Sequence, residues 1–409
     1  MDFDDTPQEA EFRAEARAFL NANATLKSES EPVKENLEQH MARARAWQKL
    51  KSENGWACLN YPAEYGGRNA SPMERIIWGQ EEARYDVPTG VYAIGLGMCG
   101  PTMIAYASDE HKEARVPRMV SGEDIWCQLF SEPGAGSDLA NLRTRCEKDG
   151  DDWIINGQKI WTSGAHYCDW GILVTRSDPT VPKHKGLTFF FLDMKSPGVE
   201  VRTIKQVSGD SNFNEVYFTD VRIPDSQRLG AVGDGWKVSL TTLMNERLAV
   251  GDAGGTDVPH LLKLASKLDI DGEPALDNAA VRSKIARWYC EMSGLKNTKY
   301  RTMSALSRGQ TPGPENSITK VVSAKKMKDI GSFGIELMDM GGIIVDREAR
   351  EELGSTAFQG SFLGGPGYRI AGGTDEILRN IIAERVLGLP QEVRVDKGIP
   401  YNEVEQGGG

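Results

Sequence analysis

At 409 residues the chain is long for a single core, and about two or three domains are expected. Its formal net charge of -11 argues against a nucleic-acid role, since phosphate backbones demand a basic footprint. No apolar run reaches membrane-spanning length, the start Met1-Asp2-Phe3-Asp4-Asp5 lacks the apolar core of a secretory signal, and the six scattered cysteines and five histidines show no CxxC or ligand spacing. A cytoplasmic protein with reduced thiols, no metal site and no membrane insertion is therefore expected.

Residues 6–125 read as helical. Thr6 followed by Glu9, with Phe12, Ala16, Phe19 and Leu20 beyond, has the pattern of a capped amphipathic helix. Further helices are expected around Trp47, Ile76–Glu82 and Met103–Ala107. Gly95-Leu96-Gly97-Met98-Cys99-Gly100 fits GxGxxG after the strand-like Val91-Tyr92-Ala93-Ile94. Pro101 follows at once, so a glycine-bearing helix junction is the better reading than a dinucleotide site.

From about residue 126 to 224 the apolar period changes to two. Trp126–Leu129 is a short apolar strand that opens into Ser131-Glu132-Pro133-Gly134-Ala135-Gly136-Ser137-Asp138. Such a loop can turn backbone N–H groups toward an anion, because glycine tolerates the φ values of a nest. Asn156-Gly157 reads as a type I′ turn, with Trp153 and Trp161 in its flanking strands. Ile172–Thr175, Leu187–Met194, Val199–Ile204 and Glu215–Phe218 complete a small antiparallel barrel or sandwich. An anion-cradling loop beside an aromatic hairpin points to a large, flat, phosphate-bearing cofactor.

Helical patterns return over 236–253, 258–268, 278–307, 315–340 and 374–388, the third and fourth reading as an antiparallel pair. The polar stretch from Gln391 onward is expected to be loose or wrapped on a neighbour.

The SEPGAGSD segment at 131–138 and the Trp161-Thr162-Ser163 segment resemble the two flavin-binding signatures of the acyl-CoA dehydrogenase family. The resemblance continues through Val221-Arg222-Ile223-Pro224, Gly233-Asp234-Gly235-Trp236 and Gly372-Gly373-Thr374-Asp375-Glu376-Ile377. It implies an α+β multidomain fold: an N-terminal helical domain (1–125), a central small β-barrel or sandwich (126–235), a C-terminal four-helix bundle (236–390) and a tail (391–409). It also implies FAD as cofactor, an acyl-CoA substrate oxidised to trans-2-enoyl-CoA, an electron-transfer flavoprotein as oxidant, and a tetramer.

By the same resemblance Gln128, Ser131, Gly136, Ser137, Trp161, Thr162, Ser163 and Thr374 belong to the FAD site. Ser131 would bond the flavin N1/O2 edge, Trp161 would stack near the ring, Ser163 would approach N5, and Ser137 would lie near pyrophosphate and substrate. Many members carry the catalytic base in a Tyr-Glu-Gly-Thr turn; here it reads Ala371-Gly372-Gly373-Thr374. The Gly372 N–H can still polarise the thioester oxygen, with Gly373 beside it in the substrate site. Asp375 and Glu376 read as first-turn acids that complement a helix dipole.

A minority of members, isovaleryl-CoA dehydrogenase-like, places the base where Asn245-Glu246-Arg247-Leu248 stands. Glu246 would take the Cα proton while hydride leaves Cβ for flavin N5. Helical spacing puts Ser239, Thr242, Glu246, Ala249 and Ala253 on one face, a hollow of small residues in which Thr242 and Arg247 would flank the substrate. Trp236, Leu240, Leu243, Met244 and Leu248 would anchor the other face in the core. Two motifs by which homotetrameric members complete a neighbour's flavin site are broken here, around Asp257–Leu262 and Met338–Ile344. An unlike partner subunit is therefore expected, as in pimeloyl-CoA dehydrogenase large-subunit-like chains. A non-catalytic partner chain and an acyl-CoA oxidase are the rival readings.

Overall fold

The computed structural model describes residues 5–27, 35–249, 255–307, 313–344 and 356–404; the side chains of 246–249, 306–307 and 356 lie outside that description. Contacts divide the chain into two units. One comprises Met1–Lys205, Ser211–Glu246 and Arg394–Gly409, the other Gln206–Asp210 and Arg247–Val393.

The first unit begins with α1 (Pro7–Asn23), α2 (Leu37–Glu53), α3 (Pro72–Glu82), α4 (Gly100–Tyr106) and α5 (Asp109–Ser121). Thr6 and Glu9 form the expected capping box on α1, whose Phe12, Ala16 and Leu20 pack with Trp47, Trp56 and Trp78. The carboxylate of Glu81, almost fully buried, gathers Arg13, Arg17 and Arg84 between α1 and α3. Val91–Ile94 forms no strand, and a single π-helical turn over Gly95–Cys99 leads into α4. A Cβ on Gly100 would lie 1.8 Å from the Tyr61 hydroxyl, so that glycine serves close packing.

One eight-stranded sheet follows: β1 (Trp126–Leu129), β2 (Arg145–Asp149), β3 (Asp152–Ser163), β4 (Trp170–Arg176), β5 (Leu187–Asp193), β6 (Val199–Ile204), β7 (Phe213–Pro224) and β8 (Arg228–Leu229). The order is β6-β7-β3-β2-β4-β5-β8, with β1 paired to β4. It is not wholly antiparallel, because β1 runs parallel to β4. Two strands separate β3 from β5 in that order, yet the Trp153 and Phe190 rings stand 5.5 Å apart, so the sheet curls over its own core. Residues of β4 and β5 alternate between that interior and a second core shared with Met103, Val116 and Met119 of α4 and α5. Burial on both faces explains the near-continuous apolar runs of these strands.

The expected turn at Asn156-Gly157 is corrected. Both residues lie inside β3, where the pairing with β7 shifts register and Gly157 takes φ +151°. The β2–β3 turn is Gly150-Asp151, between the paired Asp149 and Asp152. Gly157 is needed for approach: a Cβ there would meet Thr144 Cα at 2.7 Å.

Helix α6 (Gly235–Ala249) meets the expectation only in part: Trp236 and Leu243 pack against the core as read from the sequence. Val238, Ser239 and Thr242 are fully buried, whereas Leu240 and Met244 are exposed. The Thr242 hydroxyl meets Thr102 at 2.8 Å, and Thr241 meets Tyr106 at 2.9 Å, so α4 covers the Thr242 end of the face read as a hollow.

The tail is tied down as well. Tyr401 N–H donates to the Val181 carbonyl and its ring lies 3.6 Å from the Arg176 guanidinium, while Asp396 pairs with Lys183. Tyr401, with Arg143, Arg145 and Arg176, lines a cavity of 580 Å³.

In the second unit α7 (Val258–Ala265), α8 (Ala279–Ser307), α9 (Ser317–Leu337) and α10 (Thr356–Ile370) share a core of Leu261, Trp288, Ile330 and Phe358. Lys284 pairs with Glu336 and Thr302 with Asn316, so α8 and α9 run antiparallel. Helix α10 is missing from the sequence reading because glycines and Pro366 lower its local propensity. Packing overrides that: a Cβ on Gly334 would sit 2.1 Å from the Phe358 ring. A short α11 (Asp375–Ile381) follows the Ala371–Thr374 turn. Among the described residues, no helix is long and apolar enough to cross a membrane.

Candidate active site

Strand β1 delivers its chain directly into the glycine-bearing loop. Glu132 and Ala135 exchange two backbone hydrogen bonds of 3.0 Å, making a tight turn. Neither Gly134 nor Gly136 has positive φ, and a Cβ on either would meet nothing within 4 Å. The nest argument built on glycine torsions is therefore corrected; openness, not left-handed backbone, is what these glycines provide. Gly136 and Ser137 are exposed, and Gln128 and Ser131 are half-buried.

Glu132 fixes the loop to its surroundings. Its carboxylate accepts the Arg143 N–H at 2.6 Å, the Thr144 N–H at 2.9 Å and the Lys159 ammonium at 2.8 Å; Lys159 also donates to the Phe130 carbonyl. The two side chains are 6% and 0% exposed. Burial alone would raise the Glu132 pKa, but the Lys159 charge and these donors outweigh it and hold the carboxyl below its usual range. For Lys159, burial pushes the ammonium down and Glu132 draws it back up only in part. The ion pair is the state favoured by its donors. The sequence did carry a signal for it: a lysine at an inward position of an alternating strand needs a counterion.

Lys159 lies two residues before Trp161. Between Lys159 and Thr162 the β3–β7 register shifts, and the Ile160 N–H turns to the Ser131 carbonyl at 2.9 Å. Trp161 is left at φ +60° with its ring 56% exposed, edge-on to Phe213. A left-handed aromatic residue costs about 1–3 kcal/mol and persists where its neighbours over-determine it. Thr162 next to it is buried, and its hydroxyl has no hydrogen-bond partner among the described residues. Ser163 ends the strand, half-buried. Gln128, Ser131, Trp161, Thr162 and Ser163 thus all lie on β1, its outgoing loop and the end of β3, two strands joined by the Ser131–Ile160 bond.

The expected residues of the second unit form a separate group. Gly372 and Gly373 have φ +66° and +94°, and Thr374 caps α11 by accepting the Ile377 N–H. Asp375 is 2% exposed and salt-bridged to Arg369 at 2.6 Å, with Lys320 at 3.8 Å, so it is a buried counterion rather than a dipole-complementing acid. Glu376 is exposed. Glu246 and Arg247 stand on the backbone of α6, and their side chains lie outside the described residues. Thr242, expected at the substrate, instead spends its hydroxyl on Thr102 and the Val238 carbonyl.

Three family models match in order: "Acyl-CoA dehydrogenase, N-terminal domain" over residues 6–123, the middle domain over 127–221 and the C-terminal domain over 233–387. The chain is 35% identical to acyl-CoA dehydrogenase IpdE1 of Mycobacterium tuberculosis over 394 residues, 94% of this chain and 98% of that protein. It belongs to the acyl-CoA dehydrogenase family. It is also 38% identical to FadE34 of the same organism over 83% of its length, but spans only 45% of that longer protein. Among solved structures it resembles the Tcur3481-Tcur3483 steroid acyl-CoA dehydrogenase, with TM-score 0.79 and 28% identity over 96% of this chain and all of that one. The ChsE4-ChsE5 complex of M. tuberculosis gives TM-score 0.77 and 27% identity over 96% and 100%.

Members of the family are FAD-dependent, and the residues here fit that group. An exposed aromatic ring held in strained backbone, the orphaned Thr162 hydroxyl beside it and an open loop rigidly tied through Glu132 together suit a planar, hydrogen-bonding cofactor.

Proposed function

We propose that this chain catalyses FAD-dependent α,β-dehydrogenation of a bulky acyl-CoA, forming the trans-2-enoyl thioester, with Glu246 as the base that removes the Cα proton. One observation carries the choice of base. The turn that holds the carboxylate in many members offers Gly372 instead, and the next carboxylate along, Asp375, is buried and paired with Arg369. Glu246 on α6 is then the candidate, and the Gly372 N–H polarises the thioester oxygen so that charge forming on it is stabilised. FAD, when bound, supplies the two-electron acceptor for the hydride leaving Cβ. Gln128, Ser131, Trp161, Thr162 and Ser163 hold and orient it, Ser137 and Gly136 line its phosphate side, and Thr374 caps the helix after the turn.

A ring-bearing or branched acyl chain is the proposed substrate, a reading supported by the similar solved structure described as a steroid acyl-CoA dehydrogenase. An unlike partner subunit is proposed on the same ground, since both solved structures named above are two-component complexes. The exposed Met340, Ile343 and Ile344, within the altered Met338–Ile344 stretch, support a subunit contact there. An electron-transfer flavoprotein is the proposed oxidant.

The test is Glu246→Gln in the co-purified complex. Loss of anaerobic flavin bleaching by a steroid side-chain acyl-CoA, with flavin content unchanged, supports the assignment. Undiminished bleaching removes Glu246 from the mechanism.

A further inference from the structure

At the Gly372–Gly373 turn the Ala371 N–H donates to the Gly367 carbonyl at 2.9 Å and the Thr374 side chain caps α11, so local bonds tie the turn at its two ends. Lys320 of α9 reaches it, donating to the Gly373 carbonyl at 2.6 Å and to the Arg369 carbonyl at 3.1 Å. The first acceptor lies in the turn before α11 and the second near the end of α10, so one ammonium spans the whole connection. Asp375 closes the arrangement. Its Oδ2 accepts from the Arg369 Nε at 2.6 Å, while Oδ1 lies 3.8 Å from the Lys320 ammonium and has no hydrogen-bond partner among the described residues. Burying a carboxylate is costly unless cations compensate it, and here both cations bear on the same short turn.

Two consecutive glycines in left-handed torsions leave a turn with wide conformational freedom. A donor to a developing oxyanion, however, must be in place before the charge forms, within about 0.5 Å of its productive position. The turn therefore needs an external constraint: the Arg369–Asp375 pair ties its two ends, and Lys320 bonds the Gly373 carbonyl of the turn itself. We infer that Lys320 is a positioning residue for the dehydrogenation, fixing the Gly372–Gly373 turn so that the Gly372 N–H stays aimed at the thioester oxygen. This rests on the role proposed above for Gly372. In this role Lys320 touches neither the substrate nor the cofactor.

The experiment uses the flavin-loaded complex and the variants Lys320→Met, Lys320→Arg and Gly372→Ala. The probe is acetoacetyl-CoA, whose acidic α-carbon gives an enolate that absorbs at long wavelength against an oxidised flavin. The pH at half-maximal absorbance reports how strongly the thioester oxygen is polarised. In Lys320→Met that midpoint is expected to rise by about one unit, a tenfold loss of enolate stabilisation. With the acyl-CoA that bleaches the wild type, kcat is expected to fall about 10–100-fold while KM stays within about threefold. Lys320→Arg restores most of both. If Lys320→Met loses its flavin, Lys320→Gln, which keeps one donor, is read in the same way and should fall between. A folded Lys320→Met enzyme with wild-type midpoint and kcat overturns the inference if Gly372→Ala is slow. A wild-type midpoint no lower than that of free acetoacetyl-CoA instead overturns the underlying role of Gly372.

Discussion

Replacing Lys159 by Met removes the cation from a carboxylate that is 6% exposed. Glu132 then keeps two backbone donors, the Arg143 and Thr144 N–H groups, and the Phe130 carbonyl loses its partner. Breaking a buried pair from one side costs about 3–5 kcal/mol, against a total stability of roughly 5–15 kcal/mol. Eight of the nine tryptophans belong to the first unit, since Trp288 alone falls within Arg247–Val393, so tryptophan fluorescence in urea follows that unit. With a urea slope of about 1–3 kcal/mol per molar, the midpoint should fall by at least about 1 M. Glu132→Gln combined with Lys159→Met leaves no uncompensated charge, and the double variant should recover at least about 2 kcal/mol relative to the sum of the singles. A Lys159→Met midpoint equivalent to less than about 1 kcal/mol of loss would refute the account of the pair. Flavin content should fall in step with stability, because the same carboxylate anchors the loop after β1.

Trp161→Ala removes an exposed ring while its Cβ keeps the left-handed strain, so melting should shift little while flavin affinity drops roughly three- to tenfold, about 0.5–1.5 kcal/mol; titration of apoprotein with FAD measures it. Burial raises the Glu81 carboxyl, but Arg17, Arg13 and Arg84 outweigh it and hold its pKa at about 2 rather than 4.5. A depressed folded value gives stability that is present above pH 4.5 and lost as pH falls toward 2, so thermal melts of wild type should drop over that window while those of Glu81→Gln stay flatter. Tyr401→Ala removes a cation–π contact worth about 1–2 kcal/mol and should free the tail, read as faster tryptic cleavage after Arg394 and Lys397 with flavin retained.

Much was decided locally and could be read without a structure. The capping box at Thr6 and Glu9, the two-residue period of β6 and β7 and the helical runs of α8 and α9 depend on contacts within a few residues, so the sequence encodes them directly. The family membership was legible for the same reason, its motifs being short segments of fixed order. The tertiary structure decided the rest. Asn156-Gly157 has turn chemistry, but β7 continues alongside and makes it a bulge. Helix α10 has poor propensity, but α9 presents glycines into which Phe358 packs. Helical spacing found the two faces of α6 without saying which α4 would cover, and Thr102 rather than an acyl chain lies against Thr242. Asp375 looked like a helix-dipole acid until Arg369 and Lys320 arrived from α10 and α9. Period and caps fix which residues share a face; which neighbour meets that face is a long-range choice, made by packing between segments far apart in the chain.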